Sequence, residues 1–282
     1  MNKVSLTIPY QYDTVFSPFK AGEFDDALEF SEEQGFTGVE LAIAYPVKVD
    51  TSMLNKKLAA HHLTVTTLST GQIVGLEGLY LSSPDKDIRN RTIQIIKEHV
   101  ELSEALGHPP ITLGLIRGKR EKGDKYALMN QLKDSVMTCV EYAYKRGVTL
   151  QIEPICKAET CLINNTYEAL WFLKELGNPD NLGLLYDTFH SNIEDDGMPE
   201  AIEAAAGRIT NIHLADSNRG LPGYGTIDFH AVYEAVANTS YQGAFALETL
   251  SVPSVDFVKK NCASSMFRII RKNVKNKGFH IY

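Results

Sequence analysis

The stretch LGLLYDTFHSNIE, Leu182 to Glu194, starts as an apolar run suited to a strand buried on both faces, then sets Asp187 and His190 three positions apart where that strand should end. A buried carboxylate needs a partner, because an unpaired charge is costly to desolvate. Seven other stretches repeat the pattern of a short β-rich run followed by a longer segment of helical period. VSLTIPY (4–10) precedes FDDALEFSEEQG (24–35), in which Phe24, Ala27, Leu28 and Phe30 share a helix face, and GVELAI (38–43) precedes TSMLNKKLAAHH (51–62). TVTTLST (64–70) precedes a helix over 87–106, ITLGLI (111–116) one over 125–146, and TLQIEP (149–154) one over 167–176. LGLLYDTF (182–189) leads to 199–206, ITNIHLADS (209–217) to 229–237, and AFALETL (244–250) to 255–274.

Near-continuous apolar strands alternating with helices indicate a parallel sheet covered on both faces, and eight such units indicate an α/β fold closed as a single (β/α)8 TIM barrel. Gly35, Gly107, Gly147 and Gly177 stand where helix C-caps are expected. A doubly wound open sheet would carry a phosphate-binding glycine loop after its first strand, and IPYQYDTVFSP has none.

The chain of 282 residues, with 44% apolar and 22% charged residues and no low-complexity linker, is expected to form one barrel domain over 1–282. Its net charge of −7 argues against nucleic acid or an anionic membrane as partner and favours a small molecule. MNKVSLTIPYQYDTVF lacks the apolar core of a signal peptide and no 18 apolar residues run together, so a cytoplasmic location is expected. Cys139, Cys156, Cys161 and Cys262 have no C-x-x-C spacing and are read as reduced thiols.

Active sites of such barrels lie at the C-terminal ends of the strands. Strand five ends in Glu153, strand six in Asp187, strand seven carries His213 and strand eight ends in Glu248. Adjacent strands lie about 4.8 Å apart, so four consecutive ends can aim these groups at one volume. Three carboxylates there would repel one another unless a divalent cation neutralised them. The mixed carboxylate and imidazole set suits one ion of Mn2+, Co2+, Mg2+ or Fe2+, and less specifically Zn2+; Mn2+ is favoured.

IEP, DTFH, HLADSNR, the G-x-G-x-I-D of Gly223, Gly225, Ile227 and Asp228, and ALE occur in that order. With them the chain resembles the xylose-isomerase-like barrel superfamily of sugar isomerases and epimerases, and within it the ketose 3-epimerases of the tagatose and psicose type. STGQ (69–72), GLIRGKRE (114–121) and DTFHSNIE are most similar to the 5-keto-L-gluconate epimerase group. The resemblance implies that Glu153, Asp187, His213 and Glu248 bind one metal, that the two glutamates are acid and base, and that Glu159, His190 and Arg219 contact the substrate. His190 is expected on the loop beyond strand six. Around Glu159, CKAETCLINN departs from the family's Asn-Arg-Tyr/Phe-Glu pattern. The resemblance also implies a homodimer or homotetramer, with Phe279 and Tyr282 of the tail covering either a neighbour or their own barrel.

The expected reaction is epimerisation of a ketose or keto-sugar acid at C3. Glu248 and Glu153 exchange the C3 proton from opposite faces through a metal-bound cis-enediolate, with hydrogen bonds and positive charge from His190 and Arg219. The alternatives on the same site are an aldose–ketose isomerase of the hydroxypyruvate or xylose type, a sugar-phosphate epimerase, and a dehydratase. Arg117, Lys119 and Arg120 follow strand four and face either solvent or a carboxylate or phosphate of the substrate. Asp228 and His230 fit either a metal-binding pair or a capped helix start, and His61, His62, His99, His108 and His280 are read as structural or solvated. A DNA-repair endonuclease would need histidines after strands three and four, where LSTGQ and GLIRG have none. A non-catalytic sugar-binding barrel would need no second base.

Overall fold

A computed structural model describes residues 2–119 and 123–272; Arg120, Phe279, His280 and Tyr282 lie outside them. Eight parallel strands close in chain order into a barrel: β1 Val4–Pro9, β2 Gly38–Ala42, β3 Thr64–Ser69, β4 Ile111–Leu113, β5 Leu150–Ile152, β6 Leu182–Asp187, β7 Ile209–Leu214 and β8 Ala244–Leu247. β8 pairs with β1 and closes the ring. Around it run α1 Phe24–Glu33, α2 Thr51–Ala60, α3 Gln72–Glu77, α4 Lys86–Ala105, α5 Lys125–Tyr144, α6 Thr166–Glu175, α7 Thr188–Glu194, α8 Met198–Ala204, α9 Phe229–Asn238 and α10 Val255–Lys272. The fold is the (β/α)8 barrel that the alternation implies.

Strand residues that point outward, such as Leu6, Ile8, Val39 and Leu41, join helix residues such as Ala27, Leu28, Leu54 and Leu58 in one apolar core between strands and helices. The lumen is more polar than the expected continuous apolar runs. Thr66 Oγ1 donates to Ser5 Oγ at 2.9 Å, Gln151 Nε2 donates to Thr112 Oγ1 at 2.9 Å, and Asn211 Nδ2 donates to the Thr66 carbonyl at 3.1 Å. These groups satisfy one another, as buried polar groups must.

The helix phasing follows the caps. Asp50, Asp85, Asp124, Asn165 and Asp228 each accept backbone N–H bonds at a helix start, and Gly35, Gly107, Gly147 and Gly177 all have positive φ. Asp228 caps α9 by accepting from His230 and Ala231, so the capped helix start is the correct reading of that pair. Two short helices, α3 and α7, occupy stretches without an expected helix. Among the described residues, no helix is long and apolar enough to cross a membrane.

Candidate metal centre and active site

The register of the barrel sets the site. Asp187 pairs with His213 across β6 and β7, while Glu153 and Glu248 stand just beyond the ends of β5 and β8. All four side chains are buried or nearly so. His213 Nδ1 faces the three carboxylates, 3.4 Å from Glu248 Oε2, 3.6 Å from Glu153 Oε1 and 3.7 Å from Asp187 Oδ2. One ligand atom from each residue lies within 4.8 Å of the others. Metal–ligand bonds of about 2.1 Å on octahedral axes place neighbouring ligands about 3.0 Å and opposite ones about 4.2 Å apart, a range that spans these contacts.

Two orphan atoms sharpen the fit. Asp187 Oδ2 and His213 Nδ1 are buried without a hydrogen-bond partner, and both face the centre of the cluster. Asp187 divides its oxygens: Oδ1 caps α7 by accepting from Phe189 N at 2.7 Å and His190 N at 3.3 Å, which leaves Oδ2 free for a cation. His213 is divided in the same way. Its Nε2 lies 2.8 Å from Glu40 Oε2, and a carboxylate there fixes the tautomer with hydrogen on Nε2 and the Nδ1 lone pair toward the cluster. Glu40, midway along β2 and 0% exposed, is the functional residue that sequence reasoning missed. Its signal was present in GVELAI, a carboxylate inside an otherwise apolar parallel strand. The residues therefore fit a divalent ion, which Glu153, Asp187, His213 and Glu248 would hold with Glu40 orienting the imidazole.

Electrostatics agree. Burial raises the Glu153 pKa, and the charges of Glu248 and Asp187 add to the rise. Burial would raise Asp187 too, but His190, His213 and Arg219 outweigh it and hold that carboxyl below the usual carboxylate range. For His213, burial opposes the charged form while Glu40 and Glu248 overcome it and push the pKa well above its ordinary value. Folded-state pKa values raised on Glu153 and His213 mean that the metal-free protein binds extra protons, so their stabilising effect fades as pH rises through those values. Metal binding displaces the same protons. Mn2+ is thus expected to raise the thermal midpoint more at pH 8 than at pH 6, as scanning calorimetry at fixed free Mn2+ would show.

Gly114, directly after β4, leaves room for the ligand beside it: a β-carbon there would stand 2.5 Å from Glu153 Oε2.

Beside the cluster, Arg219 Nη1 bonds Glu159 Oε1 at 2.8 Å, and Arg219 Nη2 lies 3.4 Å from His190 Nε2 and 3.9 Å from Glu248 Oε2. Its guanidinium is stacked between the rings of Phe16 and Phe189, at 4.3 and 4.8 Å. Arg219 is held in a left-handed conformation, φ 59°, which costs a non-glycine residue about 1–2 kcal/mol. The loop that imposes it folds around buried Asp216, whose carboxylate accepts from the N–H groups of Ser217, Gly223 and Ile227. His190 Nδ1 accepts the Cys156 N–H at 3.3 Å, and Cys156 Sγ lies 3.8 Å from Glu159 Oε1. His190 therefore sits in the first turn of α7, not on a loop as expected, because Asp187 nucleates a helix at the strand end. A cavity of about 210 Å3 opens over Glu153, Glu159, His190, Arg219 and Glu248.

Arg117 does not join this group. It is 0% exposed, and a 3-10 turn over Leu115–Arg117 directs it away from the cavity. Its guanidinium donates to the Leu113 carbonyl at 2.9 Å, the Leu162 carbonyl at 2.7 Å and the carbonyl of Glu153. Both the solvated-loop and the substrate-anion readings are corrected: Arg117 ties β4 and the end of β5 to the segment around Leu162. Burial lowers its pKa to about 10, which keeps it charged at neutral pH. Arg117→Ala removes the side-chain donor from the Leu162 and Glu153 carbonyls and leaves a void, and is expected to cost about 2–4 kcal/mol, measured by urea unfolding. Lys119 instead lies over the Tyr80 ring, 5.0 Å from its centroid.

Three carboxylates and an imidazole converging at the carboxyl end of a closed barrel define the class, a barrel enzyme with a buried cluster consistent with a divalent metal site. A profile of the xylose isomerase-like TIM barrel family matches residues 28–264, and the chain belongs to that family, among its sugar epimerases. The L-ribulose 3-epimerase of Mesorhizobium japonicum is 32% identical over 237 residues, 83% of this chain and 78% of that protein. The ketose 3-epimerase of Arthrobacter globiformis is 27% identical over 238 residues, 82% and 80% of the two chains. A solved L-ribulose 3-epimerase structure superposes with a TM-score of 0.81 at 25% identity over 100% of both chains. The relatives are isomerases of sugars, and the chain is an enzyme of that kind.

Proposed function

We propose that the protein is a divalent-metal-dependent epimerase that inverts C3 of a ketose or keto-sugar acid, with Mn2+ as the favoured ion. The observation that carries this reading is the pairing of Glu153 and Glu248. They come from strands separated by β6 and β7, yet reach within 3.6 and 3.4 Å of the same His213 nitrogen. Two carboxylates on two sides of one centre suit a reaction that removes a proton from one face of a carbon and returns it to the other. The names of the 3-epimerase relatives support the same reading.

When bound, the ion supplies Lewis acidity that polarises the substrate carbonyl and makes the C3 hydrogen more acidic. Glu248 or Glu153 then takes the C3 proton, leaving a cis-enediolate, and the other glutamate delivers a proton to the opposite face. Arg219, neutralised in part by Glu159, and His190 stabilise the enediolate oxygens with positive charge and hydrogen bonds. The reading also includes a soluble cytoplasmic homodimer or homotetramer, testable by light scattering.

The test is product analysis. Metal-free protein reconstituted with Mn2+ and given a panel of ketopentoses, ketohexoses and ketogluconates is expected to yield the C3 epimer by chromatography, and chelation with EDTA to abolish it. Formation of an aldose in place of the epimer would refute C3 epimerisation and favour aldose–ketose isomerisation.

A further inference from the structure

The segment after β5 turns back on itself. The Cys156 carbonyl accepts from Glu159 N at 3.0 Å and Thr160 N at 3.3 Å, and Asn164 Nδ2 pins the turn by donating to the carbonyls of Ile155 at 2.7 Å and Thr160 at 3.0 Å. The turn brings the side chains of Cys156 and Glu159 together, with Sγ 3.8 Å from Oε1. His190, in the first turn of α7, meets them, its Nδ1 lying 3.3 Å from Cys156 N. A sulfur, a carboxylate oxygen and an imidazole nitrogen from these three residues all lie within 4.8 Å of one another, and none of the three belongs to the four-residue cluster. In the Asn-Arg-Tyr/Phe-Glu pattern that ends at Glu159, Cys156 stands at the asparagine position, so the sulfur is a departure from that pattern and not a part of it.

We infer that Cys156, Glu159 and His190 form a second metal site, for a thiophilic divalent ion such as Zn2+, whose occupation shuts the cavity to its sugar. The donor set decides the ion: thiolate and imidazole suit Zn2+ and leave Mn2+ to the carboxylate-rich centre. The dimensions agree. Zinc bonds of about 2.3 Å to sulfur and about 2.1 Å to oxygen, at the tetrahedral angle, place the two ligands about 3.6 Å apart. Sγ and Oε1 stand at 3.8 Å. Three protein ligands leave the fourth position to water, and binding releases the thiol proton to solvent with no redox change. Inhibition follows because two of the ligands, Glu159 and His190, line the cavity beside Arg219. Glu159 Oε1 accepts from Arg219 Nη1 at 2.8 Å, so an ion on that oxygen competes with the guanidinium and repels it. The rings of Phe16 and Phe189, at 4.3 and 4.8 Å, limit where the guanidinium can retreat. That the excluded sugar is a ketose rests on the epimerase reading; the metal site does not.

The probe is Cd2+, which replaces Zn2+ on thiolates and absorbs in the ultraviolet through sulfur-to-metal charge transfer, titrated into the Mn2+-loaded protein. The four-residue cluster holds no sulfur, so exchange there gives no such band. Wild type is expected to show a band that saturates at one-to-one stoichiometry. Cys156→Ser is expected to abolish it and Cys161→Ser to keep it. Glu159→Gln and His190→Asn are each expected to weaken Cd2+ binding by about 10-fold or more, since loss of even an outer-shell partner costs about 10- to 100-fold. Cys156→Ala repeats the loss should Cys156→Ser fail to fold. Calorimetry of a ketose with and without Zn2+ then reads the inhibition. Zn2+ is expected to lower the affinity about 10-fold further in wild type than in Cys156→Ser, which records exchange at the four-residue cluster alone. No band in wild type, a band that survives without Cys156, or Cd2+ affinity unchanged in both Glu159→Gln and His190→Asn would overturn the site. Equal losses of sugar affinity with and without the sulfur would overturn its inhibitory role. The band is read without turnover, so absence of C3 exchange would remove the epimerase reading while the band still judges the site.

Discussion

Glu248→Gln is expected to lower kcat for C3 epimerisation by about 10^3- to 10^4-fold, and Glu153→Gln to do the same, a loss at the upper end of what a single acid or base contributes. Glutamine keeps the size and one oxygen of each side chain but cannot take up a proton. Both residues also belong to the metal cluster, so the measurement has two parts. Mn2+ affinity is read by calorimetry on the metal-free variants, and kcat at saturating Mn2+. A loss of kcat that persists at full metal occupancy identifies the proton-transfer role, because a residue that acted only as a ligand would be rescued by excess ion. The two variants should also differ from each other. Each retains the glutamate on one face, so each is expected to exchange the C3 hydrogen of one epimer with solvent while failing to form the other. Exchange of both epimers by either variant would show that one base serves both faces.

Glu40→Ala is expected to weaken Mn2+ binding by about 10- to 100-fold without removing any ligand. Glu40 Oε2 accepts from His213 Nε2 at 2.8 Å, and this contact alone decides which ring nitrogen faces the carboxylates. Without it the Nε2–H is buried with no acceptor, and the imidazole gains by turning or by moving its proton to Nδ1, where it would block the cluster. Glu40→Gln can still accept through its amide oxygen but no longer stabilises the ring with negative charge, so an intermediate affinity is expected. Calorimetric titration of Mn2+ into the three metal-free proteins gives the order. Equal affinities would show that packing alone orients His213.

The barrel could be read from the sequence because its signal is repeated. Eight apolar runs each followed by a helical segment leave little freedom, and four glycine caps agree with the phase. The metal residues could be read for a related reason: strand ends in this fold share one face, so Glu153, Asp187, His213 and Glu248 needed only their positions at the ends of consecutive strands to be grouped. Glu40 was hidden because it lies within a strand, where period and composition describe burial and not which side chain it meets across the barrel. Arg117 was misplaced for a different reason. GLIRGKR shows three cations after a strand, but the direction of the first depends on a single 3-10 turn after Gly114, a backbone detail that charge patterning does not encode. The sequence predicts a loop at His190 because α7 has seven residues, too few for a hydrophobic period to declare itself, and because its cap, Asp187, reads from sequence as a metal ligand alone. One carboxylate doing both jobs, an oxygen for each, became apparent only from the geometry.

The proposal that two glutamates invert C3 is tested most directly by solvent label. A ketose that the Mn2+-loaded protein converts is incubated in D2O, and the epimer isolated early in the reaction is examined by NMR. One deuterium at C3 of the product, none at C1, is the expected result. Product that carries its label at C1, or that keeps the original C3 hydrogen, would contradict the account.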